Sequence, residues 1–133
     1  MDVNFVWKKR DQEADIIQVE LLLVKAQSVF TDPFANYEKL ESVLDSDKTS
    51  GHLRRTPMRQ AVESNIELYA ITIHDLPLGI YHYMFLVHGK EKEWLEISED
   101  EKVTMLGSMR KVNYIELDPT SPKSIISYSE RKY

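Results

Sequence analysis

The chain has 133 residues, with no cysteine and only four glycines. The lack of cysteine excludes disulfides, thiolate metal sites, iron–sulfur clusters and cysteine nucleophiles. No Gly-rich phosphate loop (GxGxxG, or GxxxxGK before Ser or Thr) and no GxSxG nucleophile turn occurs. The most apolar stretch, Ile16 to Val24, is interrupted by Gln18 and Glu20. It is far shorter than the roughly 20 residues that span a bilayer. Without a signal-peptide pattern, these absences predict a cytoplasmic protein with no membrane partner.

The composition is that of one folded domain. Hydrophobic residues make up 42% and charged residues 29% of the chain, which is typical of a globular protein. The length predicts a single domain over residues 1–133. The net charge of −5 gives no general attraction to phosphate backbones, so no nucleic-acid partner is expected.

Apolar residues at three- and four-residue spacings predict helices in the first third of the chain. From Asp11 to Phe30 this stripe is formed by Ala14, Ile17, Leu21, Val24 and Ser28. Thr31-Asp32-Pro33 is typical of a helix start, and a second helix is predicted from there to Leu44. Ser98 and Glu101 form a capping box, which predicts a short helix ending near Gly107.

Segments rich in β-branched and aromatic residues predict strands. They are Asp2 to Trp7, Ile66 to His74, Ile80 to His88, Glu93 to Ile97, Val112 to Leu117 and Ser124 to Tyr128. The turn Asp75 to Gly79 is too short for a parallel crossover, so the strands on either side of it are predicted to pair antiparallel. Ile80 to His88 is apolar on both faces and is expected to be central in a covered sheet. The predicted fold class is α+β, with N-terminal helices packed on an antiparallel or mixed sheet.

Few residues point to chemistry by themselves. The histidines are His52, His74, His82 and His88, and their spacing predicts no metal site. The acidic residues lie in hydrophilic segments and read as solvated surface charge. Arg54 and Arg55 belong to a basic cluster that is suited to a phosphate. The alternative is that these arginines pair with internal carboxylates such as Glu63 or Glu67.

Three segments resemble the nitroreductase superfamily, most of all the azoline dehydrogenases of thiazole/oxazole-modified peptide pathways of the streptolysin S type. The segments are Arg54-Arg55-Thr56-Pro57, Ile66-Glu67-Leu68-Tyr69 and Leu76-Pro77-Leu78-Gly79-Ile80-Tyr81-His82-Tyr83. The end of the chain, Ile125 to Tyr133, resembles the strand that leads to the catalytic Lys-Tyr pair of that family. The resemblance implies a nitroreductase-like half-domain, the N-terminal half of the family fold or a shortened form of it.

The same resemblance implies a flavoprotein that oxidises an azoline to an azole in a precursor peptide, with FMN as cofactor. Lys132 and Tyr133 would then be the catalytic acid and base, and Arg54, Arg55 and Pro57 would contact the cofactor. It also implies a homo-oligomer or a partner subunit, because a half-domain would leave the Tyr81/Tyr83/Phe85 face uncovered.

Two alternatives remain open at this point. Pro57 is followed by Met58-Arg59-Gln60-Ala61 and not by the small residues Ser-Gly-Gly of the family loop. The chain would then be a non-catalytic binding or scaffold subunit that has lost flavin. The other alternative is an unrelated interaction domain.

Overall fold

The computed structural model describes residues 1–8, 16–26, 40–44, 53–63, 66–96, 102–104, 111–117 and 123–128. The described elements in chain order are β1 (Val3–Lys8), β2 (Ile16–Ala26), a 3-10 helix (Ser42–Leu44), β3 (Leu53–Pro57), β4 (Arg59–Glu63), β5 (Ile66–Ile73), β6 (Gly79–Gly89), β7 (Glu93–Glu96), β8 (Lys102–Thr104), β9 (Lys111–Leu117) and β10 (Lys123–Tyr128). Residues 40 and 41 are helical. No helix within these ranges is long and apolar enough to cross a membrane.

The described strands form two sheets. Sheet A has the strand order β10-β1-β5-β4, and sheet B has the order β3-β2-β6-β9-β8, with β7 also paired to β6. β1 and β10 are parallel. The other ladders between described strands are antiparallel. This part of the chain is therefore a two-sheet β fold.

The alternation of residues in β1 shows how the sequence builds a sheet face. Val3, Phe5 and Trp7 are buried, whereas Asn4 and Val6 between them are half-buried. Successive side chains of a strand point to opposite faces, so the apolar set of β1 faces sheet B. The strand predicted from Asp2 to Trp7 is confirmed.

The core lies between the two sheets, and a run of contacting aromatic side chains passes through it. The Phe5 ring of sheet A meets the Tyr83 ring of sheet B edge-on, with centroids 5.4 Å apart. Tyr83 in turn contacts Phe85 at 5.9 Å, again edge-on. Phe5, Tyr83 and Phe85 are fully buried. The face that the sequence left uncovered at Tyr81, Tyr83 and Phe85 is therefore covered by sheet A.

Sheet B also carries a smaller apolar cluster on its outer face, which we call the outer cluster. Its members are Leu22, Val24, Leu40, Val43, Met84 and Leu86. Leu40 and Val43 come from the helical segment, so this segment covers the outer face of β2 and β6. Burial on both faces confirms that β6 is a central, covered strand, as its sequence predicts.

The predicted α+β class is wrong because the first predicted helix contains β2. β2 lies between β3 and β6, and its residues from Val19 to Val24 are buried on both faces. A strand that is covered on both faces has a nearly continuous apolar run, and helical spacings can be picked out of such a run. The two periods therefore cannot be distinguished from this segment alone. The N-terminal helix predicted from Asp11 to Phe30 does not exist between residues 16 and 26.

Of the other two predicted helices, one is confirmed over its last residues and the other is wrong. Residues 40 to 44 of the second one are helical, and the rest of it lies outside the described residues. The helix predicted from Ser98 to Gly107 is contradicted by β8, which pairs antiparallel with β9. Pairing with the next strand in the sequence thus overrides the local capping pattern.

The strands on either side of the Asp75–Gly79 turn do not pair with each other, so that prediction is wrong. β5 pairs with β1 and β4 in sheet A, whereas β6 pairs with β2, β7 and β9 in sheet B. The turn crosses from one sheet to the other, a distance of roughly 10 Å. Leu76 anchors it, because its side chain is buried and its N–H donates to the carbonyl oxygen of Met1 at 2.9 Å. Asp75 and Gly79 have positive φ angles, of 55° and 141°.

The remaining predicted strands are confirmed in place. β7 follows β6 through a hairpin in which the Gly89 N–H donates to the carbonyl oxygen of Lys92 at 2.9 Å. β9 and β10 occupy the last two predicted strand segments, with boundaries shifted by one residue at their starts.

The two sheets are also connected by residues 53–63, which run as β3 at the edge of sheet B and then as β4 at the edge of sheet A. The crossing point is Met58. Its side chain is buried in the core, and its N–H donates to the carbonyl oxygen of Val19 at 2.9 Å. This crossing places Arg54 and Arg55 on one sheet and Arg59 on the other.

Candidate functional site

The residues predicted to contact FMN lie on β3, and the structure does not bring the two arginines together. Arg55 is opposite Leu22, which belongs to the outer cluster, and Arg54 is opposite Leu23, which belongs to the core between the sheets. Neighbouring residues of a strand point to opposite faces, so the two guanidinium groups diverge. Pro57 ends the strand, opposite Glu20. One phosphate group would not be held by both arginines.

Arg55 is engaged by an internal carboxylate. Its Nε and Nη2 atoms donate to the two oxygens of Glu20 at 2.8 and 2.9 Å, which is the two-pronged geometry that an arginine forms with a carboxylate. Glu20 is 7% exposed. The sequence left open an internal ion pair with a carboxylate such as Glu63 or Glu67. Arg55 forms such a pair, but its partner is Glu20.

The ion pair continues across the sheet as a charged row, defined here as Arg55, Glu20, His88 and Glu93. The Nε2 atom of His88 contacts Glu20, and its Nδ1 atom lies 2.9 Å from Oε1 of Glu93. The row crosses β3, β2, β6 and β7 in that order. Burial alone would raise the pKa of Glu20. The hydrogen bonds from Arg55 and His88 outweigh burial and hold that pKa below its ordinary value.

The charged row joins strands. Both oxygens of Glu20 and both ring nitrogens of His88 contact other members of the row. His88 therefore has no ring nitrogen left to exchange a proton with a substrate. We therefore assign the row to stability. No metal-binding cluster of three or more His, Cys, Asp or Glu side chains occurs in the described ranges.

Arg54 lies at the open end of the inner face, near Tyr81. Burial raises the pKa of the Tyr81 hydroxyl, and the nearby charge of Arg54 opposes that rise. The Tyr81 hydroxyl donates to the carbonyl oxygen of Pro77 at 2.6 Å. The Nζ atom of Lys25 lies over the Tyr81 ring, 6.0 Å from the ring centroid. Arg54 and Lys25 are both exposed.

Both predicted catalytic residues, Lys132 and Tyr133, lie outside the described residues, so their role stays a prediction.

Glu96, which the sequence placed among the solvated surface acids, is instead a buried carboxylate that holds two tryptophans. The indole N–H of Trp7 donates to Oε2 of Glu96 at 2.8 Å, and that of Trp94 donates to Oε1 at 2.6 Å. Glu96 is 6% exposed. Because Trp7 belongs to β1 and Trp94 to β7, this carboxylate links sheet A to sheet B. It is held inside the core and has no access to a substrate.

Among the described strands, β4 forms an open edge of sheet A. Arg59, Gln60, Ala61 and Val62 are all exposed, and Val62 retains 71% of its surface. β4 pairs with β5 on one side and ends the sheet on the other among the described strands. An edge strand presents unpaired N–H and C=O groups to any extended chain that approaches it.

A groove of about 650 Å³ extends from this edge across β5 to Asn4 of β1. Its lining includes two small side chains, those of Ala61 and Ala70. The polar side chains that line it include those of Asn4, Arg59, Thr72 and His74. The Thr72 hydroxyl donates to the Asn4 side-chain oxygen at 3.2 Å. Arg59 forms no ion pair with the residues that the structure describes, in contrast to Arg55.

Comparisons of the chain with protein-family models, curated proteins and solved structures find no match. The geometry therefore carries the functional conclusion by itself. The fold and the open edge define a class: a two-sheet β protein that, in its described part, has an edge strand accessible on one side. Sequence reasoning missed this edge because residues 59–63 have neither the alternation nor the density of β-branched residues that mark a strand.

Proposed function

We propose that this chain is a non-catalytic protein-binding domain that pairs with an extended segment of another polypeptide along β4. Addition of a strand to an open sheet edge is a common mode of peptide recognition, in which backbone hydrogen bonds give affinity and side-chain pockets give specificity. The exposed β4 edge is the observation that carries the proposal. The cytoplasmic location predicted from the sequence is retained as part of it.

The two edges formed by residues 53–63 differ in a way that supports β4 as the binding edge. β3 contains Arg54, Arg55 and Pro57, and charge and proline are the usual means of blocking an edge. β4 also has charged residues at its two ends, Arg59 and Glu63, but it contains no proline, and Ala61 and Val62 occupy its centre. The β3 edge therefore has a proline that the β4 edge lacks.

The groove supplies the specificity that the backbone cannot. The small side chains of Ala61 and Ala70 leave room for side chains of an added segment. Arg59 has no ion-pair partner among the described residues, so its charge can contact that segment. Opposite charges on adjacent strands attract. The favoured segment is therefore extended, free of proline and acidic at the position opposite Arg59.

The rival function is the FMN-dependent azoline dehydrogenase that the sequence resemblance implies. It requires Arg54, Arg55 and Pro57 to meet at one cofactor, and Arg55 is instead bound to Glu20. Titration of FMN with the purified protein measures it directly. We expect unchanged flavin fluorescence. A bound flavin with visible absorbance would favour the rival function over the binding domain.

A peptide titration tests the binding proposal. The probe is the synthetic peptide Ac-Thr-Arg-Thr-Val-Thr-Glu-Thr-amide, whose glutamate lies opposite Arg59 in an antiparallel pairing. Added to the isotope-labelled protein, it is expected to shift the backbone amide signals of residues 59–63. The β3 signals are expected to stay unchanged, because that edge is blocked.

The matched control is the same peptide with its central valine replaced by proline, which removes a backbone donor and interrupts strand pairing. We expect no shift with the control peptide. Equal shifts with both peptides, or no shift of the β4 amides at millimolar valine peptide, would rule out strand addition at this edge.

A further inference from the structure

We infer that the segment bound at β4 is the β4 strand of a second copy of this chain. The inference rests on the proposed function, and it names the partner. In such a pair the two strands run antiparallel about a two-fold axis at Ala61. Symmetric interfaces of this kind use the same patch on both copies, and most homodimers have them.

The register of β4 is self-complementary. A two-fold axis at Ala61 sets position 60 opposite position 62 of the second copy and position 59 opposite position 63. The sequence has arginine at 59 and glutamate at 63, so each copy places opposite charges at both ends of the pairing. The axis itself falls on alanine, which lets the strands approach without a like-charge contact.

The pairing also covers what β4 leaves exposed. Gln60 would lie across from the exposed Val62 of the other copy, and Val62 would lose much of its contact with water. Strand addition at β4 would join sheet A of each copy into one continuous sheet. The edge most open to strand addition would then be closed, which is how sheet proteins avoid uncontrolled association.

The interface is small, because only five residues of each strand pair. The expected complex is a reversible dimer that dissociates on dilution. Sedimentation velocity over a wide range of protein concentrations measures this equilibrium. We expect a shift from monomer to dimer as the concentration rises.

Charge-swapped variants test the register. Arg59→Glu places glutamate opposite glutamate at both ends and is expected to raise the dimer dissociation constant by at least about tenfold. Adding Glu63→Arg to that variant restores opposite charges and is expected to restore dimerisation. Leu78→Glu changes a side chain that is 50% exposed in the turn after β5, and is the control that leaves the equilibrium unchanged.

The outcomes separate the two proposals. A protein that stays monomeric at all concentrations, or a double variant that is not rescued, overturns the second-copy inference. If such a monomer still shifts its β4 amides with the peptide probe, the binding function stands with a different partner. Dimers that form equally well in Arg59→Glu place the interface elsewhere and also overturn the inference. Circular dichroism of each variant confirms that it is folded.

Discussion

Replacement of Glu96 by leucine is expected to lower the free energy of unfolding by about 2–4 kcal/mol. The substitution removes the shared acceptor of the Trp7 and Trp94 indole N–H groups. A buried donor left without an acceptor costs about 1–3 kcal/mol, and Trp7 is fully enclosed by the core. Urea denaturation followed by tryptophan fluorescence measures the change.

Glu96→Gln is the matched control for that substitution. It keeps the size of the side chain and one carbonyl oxygen that accepts a hydrogen bond, so we expect a loss of only about 1 kcal/mol. A leucine variant as stable as the glutamine variant would show that the indole hydrogen bonds contribute nothing to joining the sheets.

Glu20→Gln is also expected to have a large effect, lowering the free energy of unfolding by about 2–3 kcal/mol. It leaves Arg55 and His88 without the carboxylate that both contact. The loss falls short of that for a fully buried pair, because the Arg55 side chain is 43% exposed and water screens its charge. Glu93→Gln, at the exposed end of the row, is the control and is expected to cost less than about 0.5 kcal/mol.

The contribution of Glu20 also depends on pH in a defined direction. The folded-state pKa of Glu20 lies below its ordinary value of 4.5, held there by Arg55 and His88 against the opposing effect of burial. Its stabilisation is therefore fully present above that ordinary value and is lost as the pH falls through the folded-state pKa.

Melting temperatures of the wild-type protein and Glu20→Gln should therefore converge in acid. Burial lowers the pKa of His82, and the backbone N–H of Asp75, with His74, lowers the pKa of Asp2. These groups destabilise both proteins in acid and do not affect the difference. A difference that persists unchanged from neutral pH to pH values well below 4.5 would contradict the assignment of the ion pair to Glu20.

The strands that could be predicted from the sequence are those whose local pattern favours a strand. β1 alternates weakly, and β6 is apolar on both faces and dense in aromatic and β-branched residues. β2 has a similar apolar run, but Ile17, Leu21 and Val24 within it also fall at helical spacings. Pairing with β3 and β6 makes this segment a strand. That pairing joins residues far apart in the sequence, so the pattern within the segment does not reveal it.

Long-range contacts also determine how the sheets are connected and which residues meet at the site, and the local sequence does not reveal them. The short turn at residues 75–79 favoured a hairpin, yet Leu76 is buried between the sheets, and the turn crosses from one to the other. Arg55 was correctly weighed as one half of an internal ion pair, but its partner Glu20 lies 35 residues away in sequence. The sequence could not predict that β4 forms a sheet edge, because an edge is defined by the order of the strands in the sheet.

Amide hydrogen exchange of residues 59–63 tests the central claim that β4 is an open edge which binds another strand. In an edge strand alternate N–H groups point away from the sheet. In dilute protein these amides are expected to exchange rapidly, and to become protected when the protein is concentrated or the valine peptide is added. Outward amides of β4 that are already protected in dilute protein, or that stay unprotected under every condition, would contradict the claim.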